Sequence, residues 1–157
     1  MDGFPFVHRE RVRFRDLDAM GHINNAVFAT YVEQARVEYL ASLGVLDRAV
    51  YAAGAESMIL ARLEIDFRAQ GEPEVEMEIG VRPARVGTKS FDLEYRLEQD
   101  GRVIAEAKTV LVAYDYDRSE PVAVPQAWRG VLQPFSTTPR KVRTAPGGGA
   151  TVGEGRV

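Results

Sequence analysis

The sequence predicts an α+β domain in which a curved five-stranded antiparallel sheet wraps around one long central helix. Two observations predict it. Only one long stretch, Asn25 to Leu43, repeats with a helical period, while five stretches alternate with the period of a strand. Their order is one strand, the helix, then four strands in close succession. One apolar sheet face then has one long helix to cover it, and the simplest solution curls the sheet around that helix.

Residues 8–16 alternate, with Val12 and Phe14 on one side and Arg11, Arg13 and Arg15 on the other, which reads as a half-buried strand. The helix places Val27, Phe28, Tyr31, Val32, Ala35, Tyr39 and Leu43 at spacings of three and four. Asn24 or Asn25 suits its N-cap, and Gly44 its end. Residues 45–57 read as a loop with one helical turn. Residues 58–68 alternate through Ala61, Leu63, Ile65 and Phe67. Residues 74–82 alternate strictly, with Val75, Met77, Ile79 and Val81 against Glu74, Glu76, Glu78 and Gly80. Residues 90–98 set Phe91, Leu93, Tyr95 and Leu97 against charged neighbours. Asp100-Gly101 is the pair that a type I′ hairpin turn favours. Residues 103–116 are apolar on both faces around Val110–Ala113, as a central strand requires. Pro121 and Pro125 frame a turn, and 125–132 form a short helix. The domain is therefore expected over 1–135. Residues 136–157, rich in Thr, Pro, Gly and basic side chains, are expected to form a disordered tail. The open edges of the sheet invite a second copy, giving a homodimer or a dimer of dimers.

Composition narrows the function classes. With no cysteine, the chain lacks a disulfide framework, a thiol nucleophile and any Cys-based metal site. Two histidines do not make a multi-histidine metal centre, so neither metal nor cofactor is expected. A net charge of −3 argues against general nucleic-acid binding. The start lacks the basic and apolar regions of a signal peptide, and no run reaches the length of a membrane span, so the expected location is cytoplasmic.

The chemistry concentrates in Arg15-Asp16-Leu17-Asp18-Ala19-Met20-Gly21-His22-Ile23-Asn24-Asn25, directly ahead of the helix. Free N–H groups and the positive end of the helix dipole make that place suited to an anion or an oxyanion. Asp18 is the first candidate for nucleophile or general base. Two Asp residues at i and i+2 of an extended chain cannot both face one site, so Asp16, nearer the strand, reads as structural. His22 can donate to a substrate carbonyl or orient the carboxylate. Asn24 and Asn25 can cap the helix or polarise the carbonyl. Glu33, Arg36 and Glu38 on the helix read as salt-bridge partners. Arg82, Arg85 and Lys89 bracket a loop that also holds Gly87, Thr88 and Ser90, a set able to hold a phosphate.

The string Arg13-Phe14-Arg15-Asp16-Leu17-Asp18-Ala19-Met20-Gly21-His22-Ile23-Asn24-Asn25, followed by Tyr31-Val32-Glu33-Gln34-Ala35-Arg36-Val37-Glu38, resembles the hotdog-fold acyl-CoA thioesterases of the 4-hydroxybenzoyl-CoA thioesterase type. Val86-Gly87-Thr88-Lys89-Ser90-Phe91 resembles a strand-opening segment of the same family, and the likeness spans roughly residues 8–130. It implies a helix wrapped by an antiparallel sheet, pairing through sheet edges, and active sites at the subunit interface. It implies that Asp18 is the catalytic carboxylate, with His22 and Asn25 beside it, and that Arg85, Thr88, Lys89 and Ser90 hold the CoA nucleotide. Plant acyl-carrier-protein thioesterases have a similar string with Asn where Met20 stands here. His22 matches theirs, which draws the chain toward the fatty-acyl branch. The implied activity is hydrolysis of an acyl-CoA, or of an acyl carrier protein thioester, to free acid and thiol. The rivals are an enoyl-CoA hydratase that pairs Asp18 with His22, and a non-catalytic acyl-CoA-binding protein.

The composition of the last segment yields a first expectation. Its apolar surface is too small to offset its ordering entropy. A chain truncated after Phe135 should keep its activity, and its melting temperature to within about 3 °C; a larger drop would show that the tail packs.

Overall fold

In the computed structural model, residues 1–46 and 56–133 are described. Helix α1 (Asn25–Ser42) buries Phe28, Tyr31, Val32, Ala35, Arg36, Tyr39 and Leu40, a stripe three and four residues apart. Asn24 caps it, its Oδ1 accepting the Ala26 N–H at 2.9 Å. Past its end, Gly44 takes a φ of +69°, a conformation in which a Cβ would be strained.

The strands are β1 (Phe6–Arg11), β2 (Glu56–Phe67), β3 (Glu76–Val86), β4 (Ser90–Gln99), β5 (Arg102–Asp115) and β6 (Glu120–Pro121), followed by α2 (Gln126–Val131). They pair antiparallel in the order β1-β3-β4-β5-β2, so β1 and β2 are the edges and β5 is interior, as its apolar middle requires. The two-residue β6 pairs with β5 through Tyr114↔Pro121 and Asp115↔Glu120, adding a sixth strand to the five expected. It was hidden in the sequence because two residues carry no periodicity. Asp100 and Gly101 take positive φ of 49° and 76°, as the type I′ turn between β4 and β5 demands.

The inner sheet face presents Met77, Ile79 and Val81 of β3, and Phe91, Leu93, Tyr95 and Leu97 of β4, all buried beneath α1. In their midst Tyr95 and Thr109 join hydroxyls at 2.8 Å, so that neither buried group is left unpaired. The outer face is a ladder of charge. Arg82 meets Glu94 at 2.8 Å, Lys108 meets Asp92 at 3.1 Å, and Arg96 meets Glu106 at 3.4 Å. Phe4 folds over this face beneath Arg82 and Arg96, whose guanidinium carbons lie 4.8 and 5.4 Å from its ring centre. A Cβ on Gly80 would stand 2.7 Å from Phe4 Cγ, which is why glycine occupies that outward position of β3.

Two expectations need correction. The first strand does not run over 8–16: β1 ends at Arg11, residues 14–16 form a 3₁₀ turn, and Phe14 is 86% exposed. The alternation of Val12 and Phe14 was real in the sequence, but Asp16 draws the backbone into the turn through bonds set out below. Residues 83–86, expected in the loop after the strand 74–82, are not loop either: they extend β3, whose register slips between Pro83 and Arg85. A bulge is a place where a strand tolerates proline, since no ladder N–H is needed there. Most of the stretch 45–57, the end of the domain at 135 and the tail 136–157 lie outside the described residues.

Burial pushes the Tyr95 phenol up to about 12, against the opposing Thr109 bond and Arg36 charge. Below the ordinary tyrosine value both folded and unfolded chains keep the proton. Above it the unfolded chain releases the proton first, so folding stability falls as pH rises from about 10 toward 12. Tyr31, also raised by burial first, adds in the same sense. Urea midpoints measured across that window should decline, and the decline should be shallower in Tyr95→Phe.

Candidate active site

The loop between β1 and α1 is built on two carboxylates with different tasks. Asp16 is buried. Its Oδ2 accepts the Arg13 N–H at 2.8 Å and the Tyr31 hydroxyl at 2.8 Å. The Asp16 N–H donates to the Arg13 carbonyl at 2.9 Å, and the Asp16 carbonyl accepts the Asn24 N–H at 2.9 Å. One residue thus closes the 3₁₀ turn, ties the far end of the loop and moors both to the helix. Tyr31 is raised by its burial and by the bond to Asp16, so it remains a neutral donor.

Asp18 sits in a tight ring. Leu17 and Ile23 form an isolated antiparallel bridge. Within it the Asp18 N–H donates to the His22 carbonyl at 2.8 Å, and the Gly21 N–H donates to the Asp18 carbonyl at 3.0 Å. Gly21 turns the ring at a φ of +78°. Asp18 Oδ1 accepts the backbone N–H groups of Met20 at 2.8 Å and His22 at 3.1 Å. Oδ2 has no partner among the described residues. The carboxylate is therefore oriented by fixed backbone donors with one oxygen open, an arrangement suited to a base or nucleophile and to little in the core.

His22 is half-buried, and its imidazole has no partner among the described residues. Asn24 is occupied by capping. Asn25 is exposed at the helix mouth, and its N–H has no partner among the described residues. Among the described residues no three histidine, aspartate or glutamate side chains converge as a metal site requires.

The second cluster is the turn from β3 to β4. The Gly87 N–H donates to the Ser90 carbonyl at 2.7 Å. The Arg129 Nη2 donates to the Gly87 and Thr88 carbonyls at 2.7 and 2.9 Å, and the Val124 N–H to the Thr88 carbonyl at 2.9 Å. Lys89 Nζ donates to the Pro121 carbonyl at 3.0 Å. Arg85 is exposed and, among the described residues, makes a single long contact to Asp92 at 3.8 Å, while Arg82 is committed to Glu94. The role of Arg129 was not readable in sequence, since a lone arginine forty residues away carries no local signal.

The two clusters do not meet within one chain. Glu76, where β3 begins, pairs with Arg11 beside the Asp18 loop, and β3 ends at Val86 beside the Gly87 turn. Strand rise puts these ends roughly 30 Å apart. Asp18, His22 and Asn25 thus occupy one end of the sheet, and Arg85, Thr88, Lys89 and Ser90 the other.

Residues 12–133 match the sequence profile of the thioesterase-like superfamily. An uncharacterized protein YsmA of Bacillus subtilis is 30% identical over 93 residues, 59% of this chain and 60% of that protein, so the match spans less than two thirds of that relative. The chloroplastic acyl-acyl carrier protein thioesterase ATL3 of Arabidopsis thaliana is 31% identical over 85% of this chain and 71% of its own length. A thioesterase from Thermus thermophilus, solved with coenzyme A and zinc, superposes with a TM-score of 0.72 at 34% identity, covering 84% of this chain and 94% of that one.

The bonds of Asp16 make its contribution to the loop measurable. Asp16→Asn weakens an acceptor shared by the buried Tyr31 hydroxyl and the part-buried Arg13 N–H, and should cost about 1–3 kcal/mol of stability. Tyr31→Phe should cost less, and the two together less than their sum, because they share one bond. Urea unfolding of the three variants checks this.

Proposed function

Because the chain belongs to the thioesterase-like superfamily, whose profile covers residues 12–133, we propose that it hydrolyses an acyl thioester to free acid and thiol, with Asp18 as the catalytic carboxylate. The observation that carries this reading is the Asp18 carboxylate: one oxygen held by two backbone N–H groups, the other open beside the mouth of α1.

Water adds to the thioester carbonyl carbon while Asp18 Oδ2 takes its proton, or Oδ2 adds to that carbon itself and water then resolves the mixed anhydride. Either way the carbonyl oxygen gathers negative charge, the C–S bond breaks, and the thiolate leaves and is protonated. In this reading the Asn25 N–H and the positive end of the α1 dipole stabilise that oxygen, with the Asn25 side chain and His22 as further polar groups of the site. Fixed donors aimed at developing charge are worth more than mobile ones, which is what the rigid Leu17–Ile23 ring supplies.

The thiol carrier is coenzyme A or an acyl carrier protein, the two carriers named for relatives of this chain. Arg85, Thr88, Lys89 and Ser90 are the proposed phosphate contacts. Since they lie at the far end of the sheet from Asp18, a complete site takes the carboxylate from one copy and the basic turn from another. The protein accordingly works as a homodimer, or a dimer of dimers, formed through an open sheet edge.

Thiol release from a panel of acyl-CoAs tests the reading. Asp18→Asn should lower kcat by at least about a hundredfold with the melting temperature held, the usual worth of a positioned acid–base group. Asp16→Asn should be milder in kcat. Arg85→Ala or Lys89→Ala should raise KM more than it lowers kcat, since distant phosphate contacts contribute uniform binding. Mixing Asp18→Asn with Lys89→Ala subunits should give hybrids with one intact site each, and at substrate concentrations well below the variant's KM the mixture should exceed the activity of either parent. If Asp18→Asn keeps more than about a tenth of wild-type kcat, the catalytic group lies elsewhere.

A further inference from the structure

We infer that Gly71, clamped by Gln99, is a positioning residue: it forms the fixed floor against which Ile23 seats the Asp18 ring. This rests on the catalytic reading of Asp18 above.

The segment after β2 is held along its length. The N–H groups of Arg68 and Ala69 both donate to the Ile104 carbonyl, at 2.8 and 3.1 Å. The Arg102 Nη2 donates to the Gln70 carbonyl at 2.6 Å. The buried amide of Gln99 then grips the next turn. Its Oε1 accepts the Glu72 N–H at 2.7 Å, and its Nε2 donates to the Glu72 and Val75 carbonyls at 3.0 and 3.2 Å. Gly71 lies buried between these anchors and cannot retreat.

Against it rests Ile23, itself 4% exposed. A Cβ built on Gly71 would stand 2.5 Å from Ile23 Cδ1 and 3.2 Å from Gln99 Oε1. Its next contact with Ile23 would be Cγ1 at 3.4 Å, an ordinary van der Waals distance. The glycine therefore makes room for one methyl group. Ile23 is the closing residue of the ring, bridged to Leu17, and its neighbour His22 binds Asp18 through both backbone groups. A push on Ile23 reaches the carboxylate through the peptide bond to His22 and the two hydrogen bonds between His22 and Asp18, at 2.8 and 3.1 Å. The floor is made by residues about fifty to eighty positions beyond Ile23, and so tunes the loop from outside it.

The test adds the methyl on one side and removes it on the other. Gly71→Ala should lower kcat for acyl-CoA hydrolysis at least about tenfold with KM within about twofold, the signature of a displaced reacting group and not of lost binding. In an Ile23→Val background, which lacks Cδ1, the same change should lower kcat less than about threefold relative to Ile23→Val alone. Where Gly71→Ala does not fold, Ile23→Ala probes the contact by leaving a gap, and its kcat should fall severalfold with KM held. An unchanged kcat in Gly71→Ala, or in Ile23→Ala, overturns the proposal. So does a loss of kcat that Ile23→Val fails to relieve. A wild-type protein inactive on every thioester in the panel would instead overturn the catalytic reading itself, and the positioning role with it.

Discussion

Burial of the inner sheet face against α1 governs the rest of this molecule. Phe28, Tyr31, Val32, Ala35, Tyr39 and Leu40 project from one side of the helix into the row Met77, Ile79, Val81, Phe91, Leu93, Tyr95 and Leu97. At about 25 cal/mol per Å² of apolar surface, a contact of this extent outweighs any single polar interaction in the structure. A helix about 10 Å across cannot cover a flat sheet of five strands, so the sheet bends around it. That placement also sets the helix mouth beside the ends of β1 and β3. The Asp18 loop is therefore held where the dipole is positive.

The loop itself divides labour between two aspartates two residues apart. Asp16 commits its carboxylate to the Arg13 N–H and the Tyr31 hydroxyl and is buried in doing so. Among the described residues Asp18 binds its own loop alone and leaves one oxygen without a partner. The same side chain has opposite consequences because one position points to the core and the other to the helix mouth. The first ties the loop to the core, while the second is the carboxylate proposed for chemistry, so substitutions at the two sites should separate into different observables.

Antiparallel pairing carries a cost for a single chain. Strands ten to fourteen residues long separate the Asp18 loop from the Gly87 turn. The basic turn is stapled by Arg129 and by β6, both of which come from the last described segment. A charged turn held at one end and a carboxylate held at the other suit a site shared between copies, since antiparallel placement of two such sheets can bring unlike ends together.

Local pattern alone determined a great deal here. Helix α1 and its Asn24 cap, the Asp100-Gly101 turn, the interior place of β5 and the strands around Met77 and Leu93 follow from periodicity and turn chemistry, which act over a few residues. The likeness carried by the Asp18 string pointed to the family in the same way. Tertiary structure decided the remainder. Phe14 alternates like a strand residue, yet the bonds to Asp16 turn it outward. Arg85 looks like a loop residue, yet pairing with Asp92 of β4 draws it into β3. Arg129, Gly71 and Gln99 act on segments far from them in sequence. Their roles come from contacts that no local window contains, because a hydrogen bond or a close approach between distant segments leaves no period behind.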